Sequence, residues 1–265
     1  MRIAVVAPSC PLKRAAADAV TAIADARGDC ELIIHPQCFS SDGHFAGPDA
    51  ERLAALREVM ADPGVDAVWF GRGGYGSNRI AEAAATGLPA GARDKVFLGY
   101  SDGGFLLAAL HGAGCRVAHG PMPQDVARDG GEAAVGRALD WLVRGDAAAA
   151  EGGLDGPAFA FNLTVLSCLL GTPIEPDFDG RELLVEELDE QHYRIDRLMF
   201  HVAGSAAVRR CRGIRLGRCR VPENDRAFGS DEEAIVQDWC GRANIPFLGR
   251  ADIGHDAGNK VVPFT

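Results

Sequence analysis

The chain has 265 residues, 47% hydrophobic and 24% charged, which excludes disordered, collagenous and coiled-coil proteins and suffices for one large domain or two small ones. Lys and Arg number 27 against 37 Asp and Glu, a formal charge of −10, and an acidic surface repels phosphate backbones and anionic lipid alike. Neither nucleic acid nor a membrane is therefore expected as a partner.

The apolar run in MRIAVVAPSC falls short of a signal-peptide core of about 7–15 residues or a span of about 20, and predicts a first strand, IAVVA (3–7). The helical pattern KRAAADAVTAIADAR follows, then strand ELIIH (31–35) and ERLAALREVMAD, with Leu53, Leu56, Val59 and Met60 on one helical face. Next come strand DAVWF (66–70), the glycine-rich GRGGYG, helical NRIAEAAATG, strand KVFLGY (95–100), helical GGFLLAALHGAG (103–114) and strand CRVAHG (115–120). Continuous apolar strands alternating with helices predict a parallel sheet buried on both faces, with ligands where strand C-termini meet helix N-termini. GEAAVGRALDWLVR (131–144) predicts one more helix and RGDAAAAEGGLDGP (144–157) a linker, dividing the chain into domains 1–143 and 158–265. The second half offers a helix at NLTVLSCLLGT, a strand ELLVEEL (182–188), and a helix HYRIDRLMFHVAG with Ile195, Leu198, Met199 and Val202 in register. A strand near RGIRLGRC follows; Ser230 and Glu233 form a capping box opening DEEAIVQDWCGRAN, and the apolar IPFLG and KVVPF flank ADIGHDAGN.

Eight cysteines form no CxxC and predict free thiols in the cytoplasm; Cys30, His35 and Cys38 lack a fourth ligand of suitable spacing, and no metal is expected. Glycine is in excess, 33 of 265 residues where about 7% is average. Two of the glycine-rich segments carry chemistry. Gly99-Tyr100-Ser101-Asp102-Gly103 matches G-x-S-x-G between a strand and a helix, the context of a nucleophile elbow; the alternative is that Ser101 simply caps the following helix. Gly71-Arg72-Gly73-Gly74-Tyr75-Gly76 matches G-x-G-x-x-G, read either as a dinucleotide phosphate loop or as backbone donors for an oxyanion beside Ser101. Among seven histidines, His119 ends a strand as a pocket candidate, and His255 occupies a glycine-flanked loop of the kind that carries function. Glu186 and Glu187 interrupt an apolar strand and point to opposite faces, so one is expected inward, paired either to an imidazole or to Arg194 or Arg197.

Together APS, RGGYGSNRI, LGYSD, HGPM, FNLTVL with LLGT, LVEELDEQHYRIDRL, IPFLG and the final GH resemble the LD-carboxypeptidases of the S66 serine peptidase family, of which microcin-immunity peptidases are a branch. The resemblance implies a flavodoxin-like parallel-sheet N-terminal domain and a smaller β-rich swivelling α/β C-terminal domain. It implies a triad of Ser101, Glu186 and His255, with the backbone N–H groups of Gly74 and Asp102 holding the oxyanion. The implied substrate is a muropeptide tetrapeptide losing its terminal D-alanine, with no cofactor and a homodimeric protein; Arg72 is our candidate for the D-alanine carboxylate. Gly103-Gly104 departs from the family's usual threonine two residues after the aspartate. No inserted segment suited to an aminoacyl-nucleotide is evident, which favours the peptidoglycan-recycling branch. Rival expectations are a microcin-type peptidase, a serine hydrolase of the α/β-hydrolase fold, and a non-enzymatic nucleotide-binding module using GRGGYG.

Overall fold

A computed structural model describes residues 1–223 and 225–265. Strands β1 (Arg2–Val6), β2 (Glu31–Ile34), β3 (Ala67–Phe70), β4 (Val96–Gly99) and β5 (Arg116–His119) are parallel, in spatial order 2-1-3-4-5. That order is flavodoxin-like, and it places the crevice at the C-terminal ends of the strands. The strands are linked by α1 (Arg14–Arg27), α2 (Asp49–Ala61), α3 (Asn78–Ala85) and α4 (Gly104–Gly112), and followed by α5 (Gly131–Arg144). One face packs against α1 and α5, where Val20, Ala24, Val135 and Leu139 meet Ile3, Val5, Trp69 and Leu98. The other face packs against α2, α3 and α4.

A second parallel sheet, in chain order, holds β6 (Ala158–Asn162), β7 (Glu182–Leu188), β8 (Gly213–Arg220) and β9 (Phe247–Arg250), with α6 (Leu163–Leu169), α7 (His192–Gly204) and α8 (Glu232–Ala243). β6 was not among the predicted strands: AFAFN is wholly buried and runs straight into α6 at Leu163, so no glycine or proline marks where the strand ends and the helix begins. α8 starts one residue later than the Ser230 box implied. Asp231 is its cap, accepting the Ala234 N–H at 2.8 Å, because a carboxylate satisfies the free N–H groups and also suits the positive end of the helix dipole.

The chain then returns to the first sheet. β10 (Val262–Pro263) pairs antiparallel with β5, so KVVPF belongs to a different sheet from IPFLG, and the segment between them crosses from one domain to the other. Within 144–157, Ala150 bridges Val261, and Glu151 donates its N–H to the Val261 carbonyl at 2.8 Å. One apolar cluster runs without a break from Phe70, Leu106 and Val117 into Phe159, Phe161, Leu184 and Val185. Phe264 wedges between Phe159 and Phe161, at ring separations of 5.0 and 5.2 Å. The domains therefore share a core instead of meeting at a wet surface.

His119, at the end of β5, is buried with Nε2 at 3.2 Å from Asn259 Oδ1. Burial pushes its pKa down to about 4. A base whose folded pKa lies below its unfolded value, near 6.5, is protonated first in the unfolded chain, so stability falls as pH drops from about 6.5 toward about 4. Urea unfolding should show His119→Gln escaping a loss of about 2 kcal/mol that the wild type suffers between pH 7 and pH 5; equal losses would mean that His119 does not titrate this way.

Candidate active site

β4 ends at Gly99, and the chain turns sharply through Tyr100 and Ser101 into a short 3-10 turn that leads to α4. Ser101 has φ of +56°, a left-handed conformation that costs a side-chain-bearing residue roughly 1–3 kcal/mol and persists only where neighbours enforce it. Asp102 supplies that enforcement. Its buried carboxylate accepts the N–H groups of Gly76 at 3.3 Å and Ser77 at 2.8 Å and the Ser9 hydroxyl, while its carbonyl accepts the Ser77 hydroxyl.

The start of α3 is thus already occupied by an internal anion. A phosphate loop would present those N–H groups to a ligand, and it would follow β1, whereas GRGGYG follows β3; the dinucleotide expectation fails on both counts. The loop instead lies against the elbow. A Cβ at Gly73 would fall 3.1 Å from Ser101 Oγ and 3.4 Å from Met122 Cε. Gly74, at φ of +108°, backs onto Cys10 Sγ. Among the described residues, the backbone N–H groups of Gly74 and Asp102 donate to no group of the protein.

Glu186 and His255 reach this elbow from the second sheet and from the crossing segment. His255 Nε2 lies 3.0 Å from Ser101 Oγ, and His255 Nδ1 lies 2.7 Å from Glu186 Oε2. Glu186 is fully buried, and its other oxygen, Oε1, has no partner among the described residues. A bulge in β8 opposite Val185–Glu187 carries Gly217 close to this point, where an added Cβ would lie 3.0 Å from Glu186 Cβ.

The expectation that only one of the paired glutamates turns inward is corrected: both are buried. β7 is an inner strand covered on both faces, so alternation leads Glu186 to His255 and Glu187 to the start of α6. Glu187 accepts Asn162 Nδ2 at 2.7 Å, the Thr164 N–H at 2.9 Å, the Thr164 hydroxyl at 2.8 Å and the Leu188 N–H at 2.8 Å. Its pKa is raised by burial against those donors. Neither glutamate meets Arg194 or Arg197; Arg194 pairs with Glu190 at 3.3 Å, and Arg197 lies over the Tyr193 ring.

A cavity of about 600 Å³ opens over Ser101 and His255, walled by Arg72, Gly74 and Tyr75 on one side and by Asn162, Thr164 and Glu187 on the other. Arg72 Nη1 donates to the Pro11 carbonyl at 3.1 Å. His119 does not face the cavity. It lies behind Tyr100, at a ring separation of 5.4 Å, on the strand next to β4 and in register with Gly99. Among the cavity residues whose roles escaped the sequence reading are Tyr100, Asp125 and Arg128. Tyr100 donates its hydroxyl to Asp125 at 2.9 Å, and Arg128 Nε lies 3.2 Å from the same carboxylate. The available signal was an acid and a base three residues apart directly after HGPM. Cys38 and His35 are engaged elsewhere, with the Val5 carbonyl and Glu58, and among the described residues no group of three or more His, Cys, Asp or Glu is placed to hold a metal ion. No helix among them is long and apolar enough to cross a membrane.

Residues 3–120 match the LD-carboxypeptidase N-terminal domain of peptidase family S66, and residues 155–265 match its C-terminal domain. A probable murein peptide carboxypeptidase of Bacillus subtilis is 30% identical over 237 residues, covering 83% of this chain and 73% of that protein. The crystal structure of a muramoyltetrapeptide carboxypeptidase from Oxalobacter formigenes superposes with a TM-score of 0.84 at 25% identity, covering 100% of this chain and 92% of that one. The microcin C7 self-immunity protein shares the fold, with a TM-score of 0.78 at 17% identity over 100% of this chain and 95% of that one. The chain belongs to the S66 LD-carboxypeptidase family and is a serine-type carboxypeptidase.

Proposed function

We propose that the enzyme hydrolyses the amide between the L-centre of diaminopimelate and the terminal D-alanine of a muropeptide tetrapeptide, releasing D-alanine and the tripeptide. Ser101 Oγ attacks the carbonyl carbon while His255 Nε2 takes the hydroxyl proton. The oxyanion of the tetrahedral intermediate accepts the N–H groups of Gly74 and Asp102. As the C–N bond breaks, the imidazolium returns the proton to the departing D-alanine amine and leaves an acyl-enzyme. Water, deprotonated by the same histidine, then attacks the ester, and Ser101 recovers its proton as the tripeptide leaves. Glu186 keeps the proton of the neutral imidazole on Nδ1 and offsets the charge of the imidazolium.

The observation that carries this reading is the hydrogen-bonded line from Glu186 through His255 to Ser101, which ends at a cavity bordered by two unengaged backbone N–H groups. Arg72 supplies the cation for the D-alanine carboxylate, since it borders the cavity beside the oxyanion donors. The chemistry calls for no metal or cofactor. The enzyme works in the cytoplasm as a homodimer, without nucleic acid.

Mass spectrometry of a tetrapeptide incubated with the protein should show loss of one D-alanine. Ser101→Ala should abolish that loss while leaving the fold intact, and full activity in this variant would sink the assignment. Glu186→Gln should lower kcat by roughly 10³–10⁴-fold. Arg72→Ala should raise KM by roughly 10–100-fold, the equivalent of one charged hydrogen bond, with little change in kcat; an unchanged KM would remove Arg72 from the carboxylate subsite.

A further inference from the structure

His255 is the one member of the Ser101–His255–Glu186 line that stands on a loop, so what orients it matters. Among the described residues, a single hydrogen bond reaches its main chain, from Arg128 Nη1 to the His255 carbonyl. The same guanidinium lies 3.2 Å through Nε from Asp125 Oδ1. Asp125 is itself fixed by the Tyr100 hydroxyl at 2.9 Å and the Met122 N–H at 2.8 Å. Tyr100 closes the circuit. Its ring centroid is 4.8 Å from that of His255, and the next residue in the chain is Ser101.

Other contacts place the loop with the same body. Arg137 of α5 donates to the Ala257 carbonyl at 2.8 Å and the Asn259 carbonyl at 2.9 Å. Asn259 Oδ1 accepts the Gly254 N–H at 3.2 Å and faces His119 Nε2 at 3.2 Å. From the second sheet, Arg218 pairs with Asp252 and Asp256, and among the described residues no hydrogen bond runs from it to the His255 carbonyl.

We propose that Arg128 is a positioning residue for His255. By gripping the histidine's carbonyl while anchored to Asp125, it holds the imidazole in reach of Ser101 from the domain that carries the serine. The inference rests on the serine-peptidase chemistry proposed above. A planar guanidinium suits this task because its donors meet two acceptors at fixed angles, and the Asp125 carboxylate offsets its charge beside an imidazole that must become cationic. Proton transfer requires the 3.0 Å approach of His255 to Ser101, and a displacement of about 1 Å at such a contact costs roughly 10²-fold in rate.

Steady-state kinetics on a tetrapeptide, with kcat and KM determined separately, test the proposal in the full chain. Arg128→Ala should lower kcat by about 10–100-fold with KM within about twofold, and added guanidinium ion should restore several-fold of the loss. Arg128→Lys keeps the charge but not the fork, and it should fall between the alanine variant and the wild type at constant KM. A raised KM with unchanged kcat in either variant would make Arg128 a substrate contact and overturn the proposal, as would wild-type values in both. If the alanine variant does not fold, the lysine variant decides by the same split. Ser101→Ala in the same assay separates the two levels: activity there defeats the peptidase chemistry itself, whereas inactivity there with normal Arg128 variants defeats only the positioning role.

Discussion

Glu186 is a carboxylate with no exposure to solvent, and its one hydrogen-bond partner among the described residues is the Nδ1 of His255 at 2.7 Å. A buried acid costs several kcal/mol unless it is paired, so β7 can carry this residue only while the His255 loop stays docked. Much of the molecule serves that docking. β10 closes against β5, Arg128 and Arg137 hold three carbonyls of the loop, and Gly217 leaves room where a Cβ would meet both Ile253 and Glu186. The chain crosses from the second sheet to the first at this point, and the histidine sits at the crossing.

A second carboxylate does comparable work on the other side of the crevice. Asp102 binds the N-terminus of α3 and the Ser9 hydroxyl, and so welds the glycine loop after β3 to the elbow after β4. An anion at a helix N-terminus is stabilised by the free N–H groups and the dipole. Here the anion belongs to the protein, and among the described residues the Gly74 and Asp102 N–H groups near Ser101 remain unengaged. Because the apolar core runs from one sheet into the other, the loops on both walls are held by a common packed interior.

The first domain was legible because its strands are continuous apolar runs set between helical patterns, a signal that survives without tertiary information. AVWF and VFLG are buried along almost their whole length, as a doubly covered parallel sheet requires. β6 was missed because it runs into α6 with no glycine or proline between them, and the α8 cap shifted because Ser230 and Asp231 are both competent caps one position apart. The elbow at Ser101 and the loop at 254–256 could be picked out as glycine-flanked turns. The roles of Arg128, Asp125 and Tyr100 could not, since each lies in a different contact with a residue remote in the chain or hidden behind the elbow.

Local pattern alone determined the alternation of strands and helices, the sharp turn at Ser101, and the presence of two acids on opposite faces of ELLVEEL, because these depend on residues within a few positions of one another. Which acid meets an imidazole was decided by tertiary structure. Glu186 and His255 are 69 residues apart, and Ser101 and His255 are 154 apart, so their meeting depends on two sheets packing through a shared core. The same holds for the glycine loop. Its spelling fits a phosphate cradle, and only the arrival of the Asp102 carboxylate from the neighbouring strand end, 25 residues on from Ser77, fills the site that a phosphate would need.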